Sequence, residues 1–168
     1  RTDILGGGYH PHSRGNTMIR KAVVTPTITA GAYSSLDAVG GLMEFEDVCT
    51  PYSNTGHVTR VTISDKGKQN AKLYLVLFDQ TFTATADNAA FDPSDSDLGN
   101  IVDVVLVNSW VSFNDNSIGQ PAFDQLDVDV PFELVEGGTS LFGQLMVDTS
   151  TPTYTSTSDL IVTLIVET

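Results

Sequence analysis

Short runs of Val, Ile, Thr and aromatic residues, each closed off by Gly, Pro, Asn or Asp, recur from Ile19 to the end of the chain. That punctuation constrains the fold more than any other feature. Branched and aromatic side chains fit a pleated surface, while the separating residues supply the backbone angles and local hydrogen bonds that turns need. The runs place strands at Lys21 to Thr27, Gly40 to Glu46, His57 to Ser64, Ala71 to Phe78, Ile101 to Phe113, Leu126 to Leu134, Ser140 to Val147 and Leu160 to Val166. Eight such segments predict an all-β domain, most economically a β-sandwich.

The period within each run indicates how it is buried. In Leu126, Val128, Val130 and Phe132 every second residue is apolar while Asp127, Asp129 and Pro131 point away, the mark of a strand with one wet face. Thr59, Val61 and Ile63 form the more apolar set of their strand, against Val58, Arg60 and Thr62. Leu73 to Phe78 and Leu160 to Val166 are nearly continuous in apolar residues, which predicts central strands covered on both sides, the second cover coming from sheet edges or an oligomer contact. The best short helical candidate is Pro93 to Leu98, with Asp92 placed to cap its first turn.

At 168 residues the chain has the size of one domain, and about 70% of its unfolded surface can be buried in a single core. Residues 1–18 are Gly-rich and lack an apolar period, so they read as an N-terminal arm, or as a stretch foreign to a chain that would begin at Met18; residues 19–168 form the domain. The net charge is −13, yet all 8 cations lie at or before Lys72 while 15 of the 21 acidic residues lie from Asp79 onward. Such a chain repels nucleic acid, whose binders displace counterions with Lys and Arg. Its acidic half can meet a basic partner, hold divalent cations or simply keep copies apart. No apolar run is long enough for a helical membrane span, and no signal-peptide pattern is present. The one cysteine, Cys49, rules out an intramolecular disulfide and reads as a small buried residue.

Several segments, read in order, resemble a known family: Ala32-Tyr33-Ser34-Ser35-Leu36-Asp37-Ala38-Val39-Gly40-Gly41, Leu73-Tyr74-Leu75-Val76-Leu77-Phe78-Asp79, Asp87 to Asp97, Thr139-Ser140-Leu141-Phe142-Gly143 and Thr151-Pro152-Thr153-Tyr154. Their order is similar to that in the capsid decoration, or cement, proteins of tailed bacteriophages. The resemblance covers most of residues 21 to 168 and implies a jelly-roll-like sandwich, commonly a homotrimer. It would sit on the outer surface of an icosahedral virion, where it bridges subunits of the major capsid protein. The N-terminal arm has no counterpart in that pattern.

Candidate sites follow. Arg14, Arg20 and Lys21, in the basic first half, are the expected capsid contacts, through charge-assisted bonds to carboxylates. Asp87, Asp92, Asp95 and Asp97, with Asn88, offer hard oxygen ligands for calcium, but their spacing does not match a helix-loop-helix calcium loop, and a solvated self-capping loop is the simpler reading. His10, His12 and His57 lack zinc-ligand spacing. Trp110, Phe113, Tyr33, Tyr52, Tyr74 and Tyr154 would supply the aromatic platform of a carbohydrate-binding module, the alternative to core or subunit-contact packing, with calcium at the acidic loop. No nucleophile elbow, phosphate loop or assignable acid/base pair appears, so the chain reads as a binding or structural protein and not an enzyme, with no cofactor beyond the calcium candidate.

Overall fold

The computed structural model describes residues 17–122 and 128–168. Arg14, His10, His12 and the rest of the arm before Thr17 lie outside the described residues, as do Leu126 and Asp127. Among the described residues ten strands form: β1 (Ile19–Val24), β2 (Ala38–Phe45), β3 (Thr55–Asp65), β4 (Leu73–Phe78), β5 (Ile101–Val107), β6 (Ser109–Ser112), β7 (Ser117–Gln120), β8 (Val130–Glu133), β9 (Leu141–Val147) and β10 (Leu160–Glu167). They make two antiparallel sheets, one ordered β1-β10-β3-β7-β6 with β8 also paired to β3, the other β2-β9-β4-β5.

The pairings are nested. β1 pairs with β10, β2 with β9, β3 with β8 and β4 with β5. A long hairpin rolled over on itself has this order, and it is the eight-strand jelly roll. β6 and β7 are an added hairpin that continues the sheet along the far half of β3. Each of the eight runs expected from the sequence contains one strand of the roll.

The differences have local causes. The run Ile101 to Phe113 divides at Asn108, where the chain leaves the four-stranded sheet for the six-stranded one and the Asn108 N–H donates to the Gln120 carbonyl at 3.3 Å. β7 was not expected from the sequence, because Ser117-Ile118-Gly119-Gln120 offers one large apolar side chain. In β3 a register shift opposite Ile165 and Val166 places an extra residue at Thr59 and Arg60, so Val58 is buried together with Val61 and Ile63 while Arg60 turns out to solvent. A β-bulge re-phases alternation in this way. The helical candidate at Pro93 to Leu98 is instead a turn, closed by the Asp97 N–H on the Ser94 carbonyl and followed by a 3-10 turn at Leu98–Asn100; Asp92 does not cap it.

The core lies between the sheets, where Leu73, Leu75 and Leu77 of β4 face Val61, Ile63 and Leu164 with no exposed surface. Burying each such side chain contributes about 1.5–3 kcal/mol. The outer face of the four-stranded sheet is covered too. Val76 and Phe78 are buried beneath Phe82, Ala84 and Phe91, which belong to the long β4–β5 connection laid across that face as a strap, and Phe78 stacks on Phe82 with centroids 3.8 Å apart. The second cover expected for Leu73 to Phe78 therefore comes from the chain itself. β10 differs from its expectation, since Ile161, Thr163 and Ile165 alternate with buried neighbours and remain half-exposed on the other sheet's outer face.

Phe82→Ala removes the ring that anchors the strap and is expected to cost about 3–5 kcal/mol. Urea denaturation measures the loss. Amide exchange should show the strap N–H groups of Ala89 and Phe91 opening before those of β4.

Candidate interaction surface

The acidic loop is built to hold the strap. Asp87 accepts from the Gly40 N–H at 2.5 Å and the Tyr33 hydroxyl at 2.8 Å through Oδ1, and from the Thr29 hydroxyl at 2.5 Å through Oδ2. One carboxylate thus ties the strap to the β1–β2 connection and to β2. Gly40 permits this because its φ is +72°, and an added Cβ would meet the Pro26 ring at 2.9 Å. Gln144, fully buried on β9, completes the clamp: its amide accepts from the Thr85 N–H and donates to the carbonyls of Thr85 and Gly40. Asp97 accepts from the Thr83 N–H and the Ser94 hydroxyl. Asp92 and Asp95 are exposed. The calcium candidates Asp87, Asp92, Asp95 and Asp97 are therefore dispersed, and among the described residues no three acidic, His or Cys side chains converge as metal ligands would.

Two carboxylates unmarked by the sequence reading do the same work at the end of the sandwich. Asp65, fully buried at the close of β3, accepts from the Asn70 N–H at 3.0 Å, and its turn uses left-handed backbone at Lys68 and Asn70. Asp159 accepts from the N–H groups of Thr155 and Ser156 just before β10. Burial pushes the Asp65 carboxyl above its usual range despite the loop N–H groups that oppose this. Burial also raises the Tyr154 phenol, reinforced by the Asp65 charge, and the Tyr33 phenol, reinforced by its bond to Asp87. The two tyrosines pack edge to face at 5.8 Å, joining these clamps. An Asp followed by Lys-Gly at a strand end signals such a turn; nothing local identifies Asp159 or Gln144.

The cations divide by role. Arg20 turns inward from β1 and donates to the Asp47 carbonyl at 3.0 Å, while Lys66 donates to the Ser158 carbonyl and Lys68 to the carbonyls of Phe113 and Asn114. Lys21 and Arg60 instead stand on the outer face of the six-stranded sheet, in one row with Ile165 between them. Around them are Ile19 and Val23 of β1, then a second row of Ile161, Ser64, Ile118 and Val111. No segment among the described residues covers this face as the strap covers the other. Its acidic groups are Glu167, Glu133 and Asp129, the last bonded to His57 at 2.6 Å in an exposed pair of little energetic weight.

The aromatic residues are dispersed. Tyr33 and Tyr154 are buried, and Trp110 turns inward over Gly119, where a Cβ would meet its ring at 2.7 Å. Tyr52 is 99% exposed at the tip of the β2–β3 connection. Cys49 is buried, donates to the Gly138 carbonyl, and has its thiol pushed up by burial, so it behaves as a core residue.

Asp87→Ala leaves two hydroxyls and an N–H without their acceptor and should cost about 2–3 kcal/mol in urea denaturation, with Asp87→Asn retaining part of that. Asp65 makes stability depend on pH. Because its folded pKa is raised, its protonated form stabilises the fold at pH below the ordinary carboxyl value, and that stabilisation is lost as pH rises through the raised value. Asp65→Asn should flatten this part of the stability profile between acidic and neutral pH; an unchanged profile would exonerate Asp65.

No family model matches the chain, and no curated protein matches it. Among solved structures it is similar to a chain from turnip yellow mosaic virus at 6% identity and a TM-score of 0.29, covering 99% of this chain and 88% of that one. A likeness of that depth carries no argument about function.

Proposed function

We propose that this chain is a virion structural protein that decorates the outer surface of an icosahedral phage capsid and stabilises it by bridging subunits of the major capsid protein, as a homotrimer. One observation carries the reading: the six-stranded sheet presents a face of aliphatic side chains that no segment among the described residues covers, with Lys21 and Arg60 among them, in a chain of net charge −13. Uncovered aliphatic faces favour association, and Lys21 and Arg60 offer charge-assisted bonds to acidic groups of a partner. The jelly roll and the order of the segments that resemble cement proteins agree with this reading, although jelly rolls serve other functions as well.

On this reading the chain works by adhesion, with neither a catalytic step nor a cofactor. A subunit that spans two capsid subunits binds only the assembled shell and so stabilises it by mass action, and several linked copies raise the avidity beyond one contact. The carbohydrate-binding alternative gains little from the geometry, since Trp110, Tyr33 and Tyr154 face inward and the acidic loop is spent on the strap.

The test is reconstitution. Purified chain added to capsids of its phage that lack it should bind to a fixed copy number set by icosahedral symmetry, and the loaded shells should resist heat to a higher temperature. Absence of saturable binding, together with calcium-dependent retention on a glycan array, would replace this reading with the carbohydrate-binding one.

A further inference from the structure

We infer that the edge of β1, which pairs with no other strand among the described residues, is a strand-addition site for an extended segment of a partner protein with an acidic residue flanked two positions away on each side by aliphatic ones. The argument begins with the ladder. Met18 and Thr168 exchange both backbone bonds, at 2.8 and 3.0 Å. Antiparallel pairs alternate between bonded and non-bonded, so the next bonded pairs are Arg20 with Val166, Ala22 with Leu164 and Val24 with Val162. The N–H and C=O groups of Ile19, Lys21 and Val23 therefore point away from β10, along the open edge.

The other edges are blunted by known devices. β2 is interrupted by a register shift between Val39 and Met43, and the strap bonds both backbone groups of Ala38. β5 is shifted at Leu77 and Phe78, and β6 has only 4 residues. β1 pairs with β10 over 6 residues without a shift, and Ile19 and Val23 are 68% and 51% exposed. Arg20, anchored inward on the Asp47 carbonyl, holds the strand in place behind its edge.

Charge selects the occupant. A second β1 laid antiparallel about Lys21 would set Lys21 directly against its own copy, which like-charge repulsion disfavours. A carboxylate at that position gains instead from Lys21, with Ile19 and Val23 packing against aliphatic neighbours. The main-chain bonds supply affinity and the alternating side chains supply selectivity. Placing the segment on the major capsid protein rests on the function proposed above; strand addition itself does not.

Two arms of one experiment separate these claims. In the first, the isolated chain is titrated with an acetylated, amidated peptide Thr-Val-Thr-Glu-Thr-Val-Thr, and with the same peptide carrying Lys for Glu, while backbone amide resonances are followed. Saturable shifts should centre on Ile19, Lys21 and Val23, with the Lys peptide roughly fivefold weaker or more. Lys21→Glu should invert the preference. Val23→Pro removes an N–H that no strand among the described residues uses, so it should abolish binding while thermal unfolding remains cooperative. Shifts centred on β6, no shifts at all, or dimerisation of the free chain through β1 would overturn the inference. In the second arm, the chain is bound to capsids: protection of the Ile19, Lys21 and Val23 amides supports it, and bound chain with those amides still exchanging moves the docking elsewhere and leaves the proposed function standing. Peptide binding without capsid binding would refute the function and leave the site.

Discussion

The pairing of β1 with β10 is the constraint on which the rest of the roll depends. It joins the two ends of the domain, and inside it β2 can find β9, β3 can find β8 and β4 can meet β5 in only one nested order. Closing so many long loops costs chain entropy before any contact repays it. The repayment is the two-sided core, in which both sheets give up an aliphatic face to each other. Because the outermost strand of this nest is also a sheet edge, the feature that closes the fold leaves one row of backbone groups unpaired among the described residues.

The two sheets deal differently with their outer faces. The four-stranded sheet is roofed by the β4–β5 connection, and that roof is fastened by polar side chains: Asp87 on one side, Gln144 beneath, and Asp97 shaping the turn that follows. Part of the acidic excess is therefore structural, with carboxylates serving as acceptors for loop N–H and hydroxyl groups. Asp65 and Asp159 do likewise at the ends of β3 and before β10. The six-stranded sheet has no equivalent roof among the described residues, and its apolar side chains stand around Lys21 and Arg60.

Much of this architecture is legible in the sequence because strand burial is written locally. Alternation at Val128 to Phe132 and the unbroken run at Leu73 to Phe78 each report on immediate neighbours, so the eight strands of the roll can be placed without knowing their partners. The bulge at Thr59 and Arg60 is not legible in that way, since a one-residue phase slip within a strand can be seen only against the strand it pairs with. Asn108 is similar: nothing in Val107-Asn108-Ser109 says that the chain changes sheets there. The site is less legible than the fold. Arg20 and Lys21 look equivalent as adjacent cations, yet strand geometry sends one inward to the Asp47 carbonyl and the other outward. Asp87 looks like an acidic loop residue, but its three donors come from Thr29, Tyr33 and Gly40, far away along the chain.

Lys21 shows how one residue can serve both folding and recognition. On an exposed edge a lysine discourages pairing with another copy, because the same charge would face it across the ladder. That protection is selective. It acts through charge and leaves the hydrogen-bonding groups of Ile19, Lys21 and Val23 in place, so a strand of opposite charge meets no penalty. A proline at position 23 or a bulge would have closed the edge to every partner; a lysine closes it mainly to its own kind. In a chain whose remaining surface is predominantly acidic, this also reduces competition from other copies, since an edge that avoids itself stays available for a different protein.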